Sequence, residues 1–172
     1  MSENNFDGLH FTEAAGNGQT VDLTKLIIRV LLIEDDAVDS MWVQRQLNSY
    51  PHAEFHLTMA SRLEQALEQM DSAFFDVVLL DLNLPDSHGG ETILRTLMHA
   101  AKIPLIIFSG NRSAHLSESA LQRGVYAYLI KDRGTAPHLA QTLHEAVLQR
   151  RAVQALESDK IFEDDSDFDS SD

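Results

Sequence analysis

The stretch LLDLNLPDSHGG, residues 79–90, decides the fold. The four residues before its acid, VVLL at 77–80, are wholly apolar, as is typical of a short strand that is buried on both faces. The run ends on the carboxylate of Asp81, and Gly89-Gly90 precede an apolar stripe with helical spacing. A strand that carries an acid to the edge of a core predicts that the acid has a partner or a chemical role.

Similar units lie on both sides of this one along the chain. Strand-like runs occupy 27–33, 54–59, 105–108 and 127–130, and helical patterns follow at 38–47, 63–70, 93–98, 116–123 and from 136 to about 156. Apolar strands joined by helices predict an α/β, doubly wound parallel sheet that is covered on both faces. In such sheets the functional crevice lies beyond the carboxyl ends of the strands.

The composition limits the classes of partner. A net charge of −14 over 172 residues argues against nucleic acid and against anionic membrane surfaces as direct partners. The absence of cysteine excludes disulfides, thiol catalysis and Cys-ligated zinc. The start of the chain is polar and acidic, unlike a signal peptide, and no apolar run approaches the ~18 residues of a membrane helix. We therefore expect a cytoplasmic protein.

The composition also predicts the domain organisation. We expect a flexible lead-in at 1–26, one folded domain at 27–155 and a disordered acidic tail at 156–172. The tail contains eight acids and one lysine, and self-repulsion favours disorder. Such a tail is too short and too acidic for a DNA-binding or catalytic output, so we expect a stand-alone protein. The last helix is longer than the sheet needs, and either solvent or a dimer contact is compatible with its excess length.

Four of the five predicted strands place a reactive side chain at the same rim of the sheet. These are Glu34, Asp35 and Asp36 after the first strand, Asp81 after the third, Ser109 after the fourth and Lys131 after the fifth. A single such residue is most often a helix cap, but the joint pattern is not expected by chance. Carboxylates ~4 Å apart repel by roughly 4 kcal/mol at an effective dielectric of ~20, so the cluster predicts protonation or a bound cation.

Phosphoryl chemistry explains this set of side chains. Mg²⁺, or the similar Mn²⁺, binds carboxylates while keeping waters and accepting a phosphate oxygen. A carboxylate can also be a nucleophile that forms an acyl phosphate. Lys131 supplies a positive charge to a phosphoryl oxygen, and Ser109 supplies a hydroxyl donor. We therefore interpret Asp81 as a phosphoryl acceptor beside a metal ion.

Four motifs together resemble the receiver domain of two-component response regulators. They are IEDD at 33–36, LLDLNLPDSHG at 79–89, IIFSG at 106–110 and YLIK at 128–131, and the resemblance covers roughly residues 29–150. It implies a flavodoxin-like, five-stranded parallel sheet with strand order 2-1-3-4-5 and helices on both faces. One departure is Asp132, which follows the lysine where the family usually has proline.

The resemblance also implies a role for each site residue. Asp81 resembles the phosphorylated aspartate, Asp35 the direct metal ligand, Glu34 the acid that acts through metal-bound water, and Asn83 the residue whose backbone carbonyl is the third protein ligand. Ser109 resembles the switch hydroxyl, Lys131 its charged partner and Tyr128 the aromatic that turns inward on activation. The implied donor is a histidine kinase or phosphotransfer protein, and the implied output is a contact with a downstream protein or a homodimer.

Two other functions remain open at this stage. One is an aspartyl-phosphate phosphatase, although such sites use Asp-x-Asp and the second position here is Asn83. The other is a receiver-like adaptor that never takes phosphate, which the complete set of site residues disfavours. We expect a signalling switch that catalyses only its own phosphorylation and dephosphorylation.

Overall fold

A computed structural model describes residues 12–14, 20–22, 25–100, 102–132 and 136–164 of the chain. Its main sheet has five parallel strands. They are β1 (Leu26–Ile33), β2 (Ala53–Ala60), β3 (Val77–Leu80), β4 (Leu105–Ser109) and β5 (Ala127–Ile130). Their order across the sheet is β2-β1-β3-β4-β5, so the predicted order 2-1-3-4-5 is confirmed.

In the part of the chain that the structure describes, one helix follows each of these strands. The helices are α1 (Ala37–Asn48), α2 (Leu63–Ser72), α3 (Gly89–Ala100), α4 (Ala114–Gln122) and α5 (Ala136–Asp164). Each helix begins and ends close to the bounds that the apolar periodicity predicts, except at the end of α5. Gly124 lies just after α4, and its φ of +99° favours glycine.

The core consists of two layers on opposite faces of the sheet. Alternate residues of β1 separate them: Leu31 and Ile33 pack with α2 and α3, while Val30 and Leu32 pack with α1 and α5. The central strand β3 is buried along its whole length. This alternation follows from the two-residue period of a strand, and burial on both faces explains the continuous apolar runs.

Two parts of the structure correct the expected domain organisation. The expected flexible lead-in contains an antiparallel pair of short strands, Thr12–Ala14 and Thr20–Asp22, and its last residue, Leu26, begins β1. The rest of 1–24 lies outside the described residues. Helix α5 continues to Asp164, so the expectation of disorder does not hold for 156–164. Residues 165–172 lie outside the described part.

Side-chain contacts hold this long helix against the opposite end of the sheet from the acidic rim. Arg151 on α5 lies 3.2 Å from a carboxylate oxygen of Asp76, which also accepts the backbone and side-chain N–H groups of Arg29. Lys102 and Glu157 form a second, longer ion pair at 3.8 Å. Within the described ranges, no helix is long and apolar enough to cross a membrane.

Candidate functional site

The register of the sheet brings the predicted acceptor to the middle of the rim. Asp81 follows β3 directly and is 6% exposed. Its backbone N–H donates to the carbonyl of Ile33 at 2.9 Å, which extends the pairing of β3 with β1 by one residue. One carboxylate oxygen, Oδ1, accepts the N–H of Leu82 at 2.7 Å. The other oxygen, Oδ2, is the one that faces Lys131.

The acids after β1 have separate structural roles. Glu34 is buried, and its Oε1 accepts the N–H of Asp36 at 3.1 Å. Asp36 caps α1 by accepting the N–H groups of Val38 and Asp39 at 2.7 and 3.1 Å. Asp35 is exposed toward solvent at the lip of the cleft. The predicted acidic cluster therefore contains one helix cap and two side chains that are available for other chemistry.

Lys131 follows β5 directly, and its ammonium group contacts three acids of the site. Its Nζ donates to Glu34 at 2.5 Å and to Asp39 at 2.8 Å, and it lies 3.1 Å from Oδ2 of Asp81. Burial would lower the pKa of Lys131, but the hydrogen bonds with Asp39 and Glu34 and the charges of Glu34 and Asp81 raise it above its ordinary value. The amine is therefore fixed as a cation.

Among the influences on the pKa of Glu34, burial is the largest. It raises the pKa of this carboxyl, and the charge of Asp81 acts in the same direction. The hydrogen bond and charge of Lys131 and the N–H of Asp36 lower it, but the net pKa is above the ordinary value. A second cation near Glu34 would favour the ionised form of this carboxyl, and a metal ion at this rim would be such a cation.

The predicted switch residues lie next to each other. Ser109 ends β4, is 3% exposed, and its carbonyl accepts the N–H of Lys131 at 3.0 Å. The hydroxyl of Tyr128 donates to the carbonyl of Asn111 at 2.9 Å. Burial raises the pKa of Tyr128; a side-chain hydrogen bond with Ser109 lowers it, and the charge of Asp81 raises it. The Tyr128 side chain is therefore already in contact with the site.

A short hairpin positions Asn83 at the same rim. Asn83 and Leu84 pair with Ser87 and His88 in a two-stranded turn directly after Asp81. The hairpin is closed by the N–H of Gly89, which donates to the carbonyl of Leu82 at 3.1 Å. Gly89 has a φ of +57°, which turns the chain into α3 with little steric cost for a glycine.

The same hairpin is attached to a neighbouring helix. Helix α2 has no side-chain cap of its own, because the residue before it is Arg62. Asp86 in the hairpin supplies the cap by accepting the N–H groups of Leu63 and Glu64 at 2.9 and 3.0 Å. The pKa of Asp86 is below its ordinary value, because these backbone hydrogen bonds outweigh the effect of burial. The turn that carries Asn83 is therefore anchored at both ends.

These side chains enclose an open cleft of about 550 Å³ that is large enough for a hydrated ion and a phosphoryl group. Oxygen atoms of Glu34, Asp35 and Asp81 lie within 4.8 Å of one another. These acids are near enough to share one ion, either directly or, for a more distant oxygen, through a water molecule bound to it. An all-oxygen donor set of this kind suits a hard divalent cation, and the residues present fit the expected ion.

Asp39 was missed by the sequence reasoning. It lies in the first turn of α1, four residues after Asp35, and only Glu34, Asp35 and Asp36 were attributed to the strand end. Residues four positions apart lie on the same face of a helix, so a helix that began at Asp35 would place Asp35 and Asp39 on one face, toward the rim of the sheet. That spacing was a signal available in the sequence.

A comparison with protein families decides the classification. The model of the response regulator receiver domain matches residues 30–144, about two thirds of the chain. The chain belongs to the response regulator receiver domain family. The predicted resemblance and the flavodoxin-like fold are thereby confirmed.

Curated relatives of this receiver domain are longer proteins. The cell cycle response regulators CtrA of Brucella ovis and Brucella abortus are each 34% identical over 105 residues, which is 60% of this chain and 44% of the relative. The chain thus spans less than half the length of the curated relatives that it matches. Their similarity supports the receiver family and leaves the activity of the whole protein as a proposal.

Solved receiver domains share the fold at low sequence identity. A CheY-like receiver domain protein from Methanospirillum hungatei JF-1 has a TM-score of 0.63 at 21% identity, covering 73% of this chain and 98% of that one. The response regulator domain of Thermotoga maritima CheB has a TM-score of 0.61 at 24% identity, covering 70% and 96%. These likenesses show the fold alone.

Proposed function

We propose that this receiver domain accepts a phosphoryl group on Asp81 and then signals through a protein contact. The observation that carries the proposal is the geometry of Asp81: its Oδ2 lies 3.1 Å from Nζ of Lys131 and shares an oxygen cluster with Glu34 and Asp35. The carboxylate oxygen would form a bond to phosphorus as the bond from phosphorus to the donor's leaving group breaks.

In this proposal Mg²⁺ or Mn²⁺ would supply positive charge to the phosphoryl oxygens and to the acids. Asp35 and Asp81 would hold the ion, with the backbone carbonyl of Asn83 and, through water, Glu34. Lys131 would balance the remaining negative charge from the other side of the cleft. Two cationic groups on either side of one nucleophile favour the transfer of a dianionic group, because they stabilise charge where it develops.

Signalling would begin at Ser109. A phosphoryl group adds −1.5 to −2 units of charge at neutral pH and attracts hydrogen-bond donors, so the Ser109 hydroxyl would move toward it. Asn111 connects this movement to β5, because its N–H donates to the Ser109 hydroxyl oxygen at 3.4 Å and its carbonyl accepts from the hydroxyl of Tyr128 at 2.9 Å. We propose that α4, β5 and α5 form the surface that a partner reads, because these elements are nearest to Ser109, Tyr128 and Lys131.

The donor in this proposal is a histidine kinase or a phosphotransfer protein, and the target is a downstream protein or a second copy of the chain. We further propose that the protein works as a stand-alone regulator in the cytoplasm. An immunoblot of cells that express the native gene would test this: a band near 19.2 kDa supports it, and a band about twice that size contradicts it.

Phosphorylation of the purified chain tests the central step. Incubation with Mg²⁺ and acetyl phosphate should add one phosphoryl group, seen by intact mass, and Asp81→Asn should abolish the addition. Chelation of Mg²⁺ should also abolish it, and Asp71→Asn, an exposed acid on α2, is the matched control. A chain that takes no phosphoryl group under these conditions would instead support a phosphate-independent adaptor.

A further inference from the structure

Asp39 is an acid of the cleft that neither the proposed chemistry nor a helix cap uses. Its carboxylate oxygen Oδ2 accepts a hydrogen bond from Nζ of Lys131 at 2.8 Å, and its side chain is 42% exposed. It lines both the acidic cleft and a neighbouring pocket of about 200 Å³, which Trp42 and Phe108 also line. Asp39 therefore contacts Lys131 from a position that is open to solvent.

Three carboxylates surround the ammonium group of Lys131. It donates hydrogen bonds to Glu34 at 2.5 Å and to Asp39 at 2.8 Å, and it forms an ion pair with Asp81 at 3.1 Å. The stem of the side chain lies beside Phe108, with Nζ 5.7 Å from the ring centroid. Transfer to Asp81 esterifies a carboxylate that faces Lys131, so this contact passes to the phosphoryl group. Nζ can turn further toward the phosphoryl oxygens only if its hydrogen bond with Glu34 or with Asp39 is released.

The exposure of the two hydrogen-bonded acids decides which bond is released. The Glu34 side chain is 1% exposed, so it would lose its partner in a buried position. An unpaired buried charge is costly, because water cannot replace the lost hydrogen bond. Asp39 alone can turn to solvent and be hydrated after its hydrogen bond with Lys131 breaks.

We propose that Asp39 is a positioning residue that holds Lys131 in the resting protein and releases it when a phosphoryl group arrives on Asp81. The inference rests on the proposed phosphorylation of Asp81 and deepens it. In the transfer step the Asp81 oxygen forms the bond to phosphorus and the leaving group departs with the electron pair of the broken bond. Asp39 forms no covalent bond; it exchanges Lys131 for water.

The consequence is that Asp39 opposes phosphorylation. Each transfer includes the loss of one charge-assisted hydrogen bond, which is roughly twice as strong as a neutral one. Asp39→Asn keeps the size of the side chain and an acceptor oxygen but removes its negative charge, so the ion pair with Lys131 becomes a weaker hydrogen bond to a neutral acceptor. We expect about a tenfold faster rate of phosphorylation by acetyl phosphate at saturating Mg²⁺, equal to about 1.4 kcal/mol.

The experiment compares wild type, Asp39→Asn, Asp39→Glu and Asp36→Asn. Two functional quantities are measured at saturating Mg²⁺: the initial rate of mass gain with acetyl phosphate, and the calorimetric affinity for beryllofluoride, a noncovalent phosphoryl mimic. The midpoint of urea unfolding is recorded for each variant as a measure of stability. Asp36→Asn removes one negative charge from the same cleft while keeping a side chain that caps α1, so it measures the general effect of charge on an anionic donor.

The expected pattern separates positioning from charge. Asp39→Asn should be about tenfold faster and should bind beryllofluoride about tenfold more tightly, Asp39→Glu should lie near wild type, and Asp36→Asn should change either quantity less than threefold. A merely structural role of Asp39 would shift the unfolding midpoint without changing the beryllofluoride affinity, and that result would overturn the inference.

Two further outcomes contradict different claims. If Asp39→Asn matched Asp36→Asn, the hydrogen bond would have no special role; if it were slower than wild type, Asp39 would support Lys131 in its working position. Either result overturns the positioning role while leaving the phosphorylation of Asp81 intact. A wild-type chain that takes no phosphoryl group overturns the proposed function itself.

Discussion

Replacing Lys131 by methionine should destabilise the resting protein more than any exposed lysine does. Opposite unit charges about 3 Å apart attract by roughly 5.5 kcal/mol at an effective dielectric of ~20. Lys131 is within 3.1 Å of three carboxylates, and its own side chain is 15% exposed. Most of this attraction is offset by lost hydration, and removal of one partner of a buried pair costs about 3–5 kcal/mol. For Lys131→Met we expect a loss of about 3 kcal/mol in the free energy of unfolding, at the lower end of this range, because Asp39 is partly hydrated and loses less than a buried partner would.

The loss of stability in Lys131→Met should depend on pH in a defined direction. Burial raises the pKa of Glu34, and Lys131 is the main group that lowers it, so the variant raises this pKa further. A carboxyl whose folded pKa exceeds its unfolded pKa contributes stability that is complete below the unfolded value and is lost as the pH rises through the folded one. The cost of Lys131→Met should therefore be smaller at pH 5 than at pH 7.5.

Urea unfolding at the two pH values, with and without Mg²⁺, measures this prediction. Lys102→Met is the matched control, because Lys102 is 78% exposed and makes one ion pair at 3.8 Å, which is worth less than about 1 kcal/mol. Saturating Mg²⁺ should reduce the difference in the free energy of unfolding between Lys131→Met and wild type, since the ion neutralises the same acids. A cost for Lys131→Met that equals the control, or that does not vary with pH, would refute the reasoning.

Three further variants test other parts of the structure. Asp76→Asn should lower the free energy of unfolding, measured in urea, by about 2 kcal/mol. Glu64→Gln, which removes one partner of an exposed ion pair, is the control and should lower it by less than ~0.5 kcal/mol. Burial raises the pKa of Asp76, but its hydrogen bonds to two arginines lower it below the ordinary value, so the loss should disappear as the pH falls below about 4. Ser109→Ala should change stability by less than about 1 kcal/mol while removing phosphate-dependent partner binding. Asp86→Ala should cost about 1 kcal/mol through the lost cap and should weaken Mg²⁺ binding in calorimetry; unchanged Mg²⁺ affinity would separate the hairpin from the metal site.

The sheet and its rim could be predicted because their signals are local. Apolar runs such as 77–80 identify strands by themselves, and a parallel sheet then places every strand end at one edge. The order of the strands in the sheet follows from the resemblance to the receiver family. Asp81, Ser109 and Lys131 could therefore be brought together from sequence before any contact was seen.

Features that depend on contacts distant in sequence could not be predicted. The cap of α2 comes from Asp86, 23 residues after the first helical N–H that it accepts. The extension of α5 includes Glu157, which composition alone assigns to a repelling acidic tail; in the fold it pairs with Lys102. The ion pair of Asp39 with Lys131 joins residues 92 positions apart. Local patterns contain no information about such pairs.

Locating the phosphoryl group on the chain is the most direct test of the central claim. The wild-type protein would be treated with acetyl phosphate and Mg²⁺, reduced with borohydride, which converts an aspartyl phosphate to homoserine, and digested for peptide sequencing by mass spectrometry. We predict homoserine at position 81 only, and only when Mg²⁺ is present. Homoserine at Asp35 or Asp39 instead, or at none of the acids of the cleft, would contradict the account.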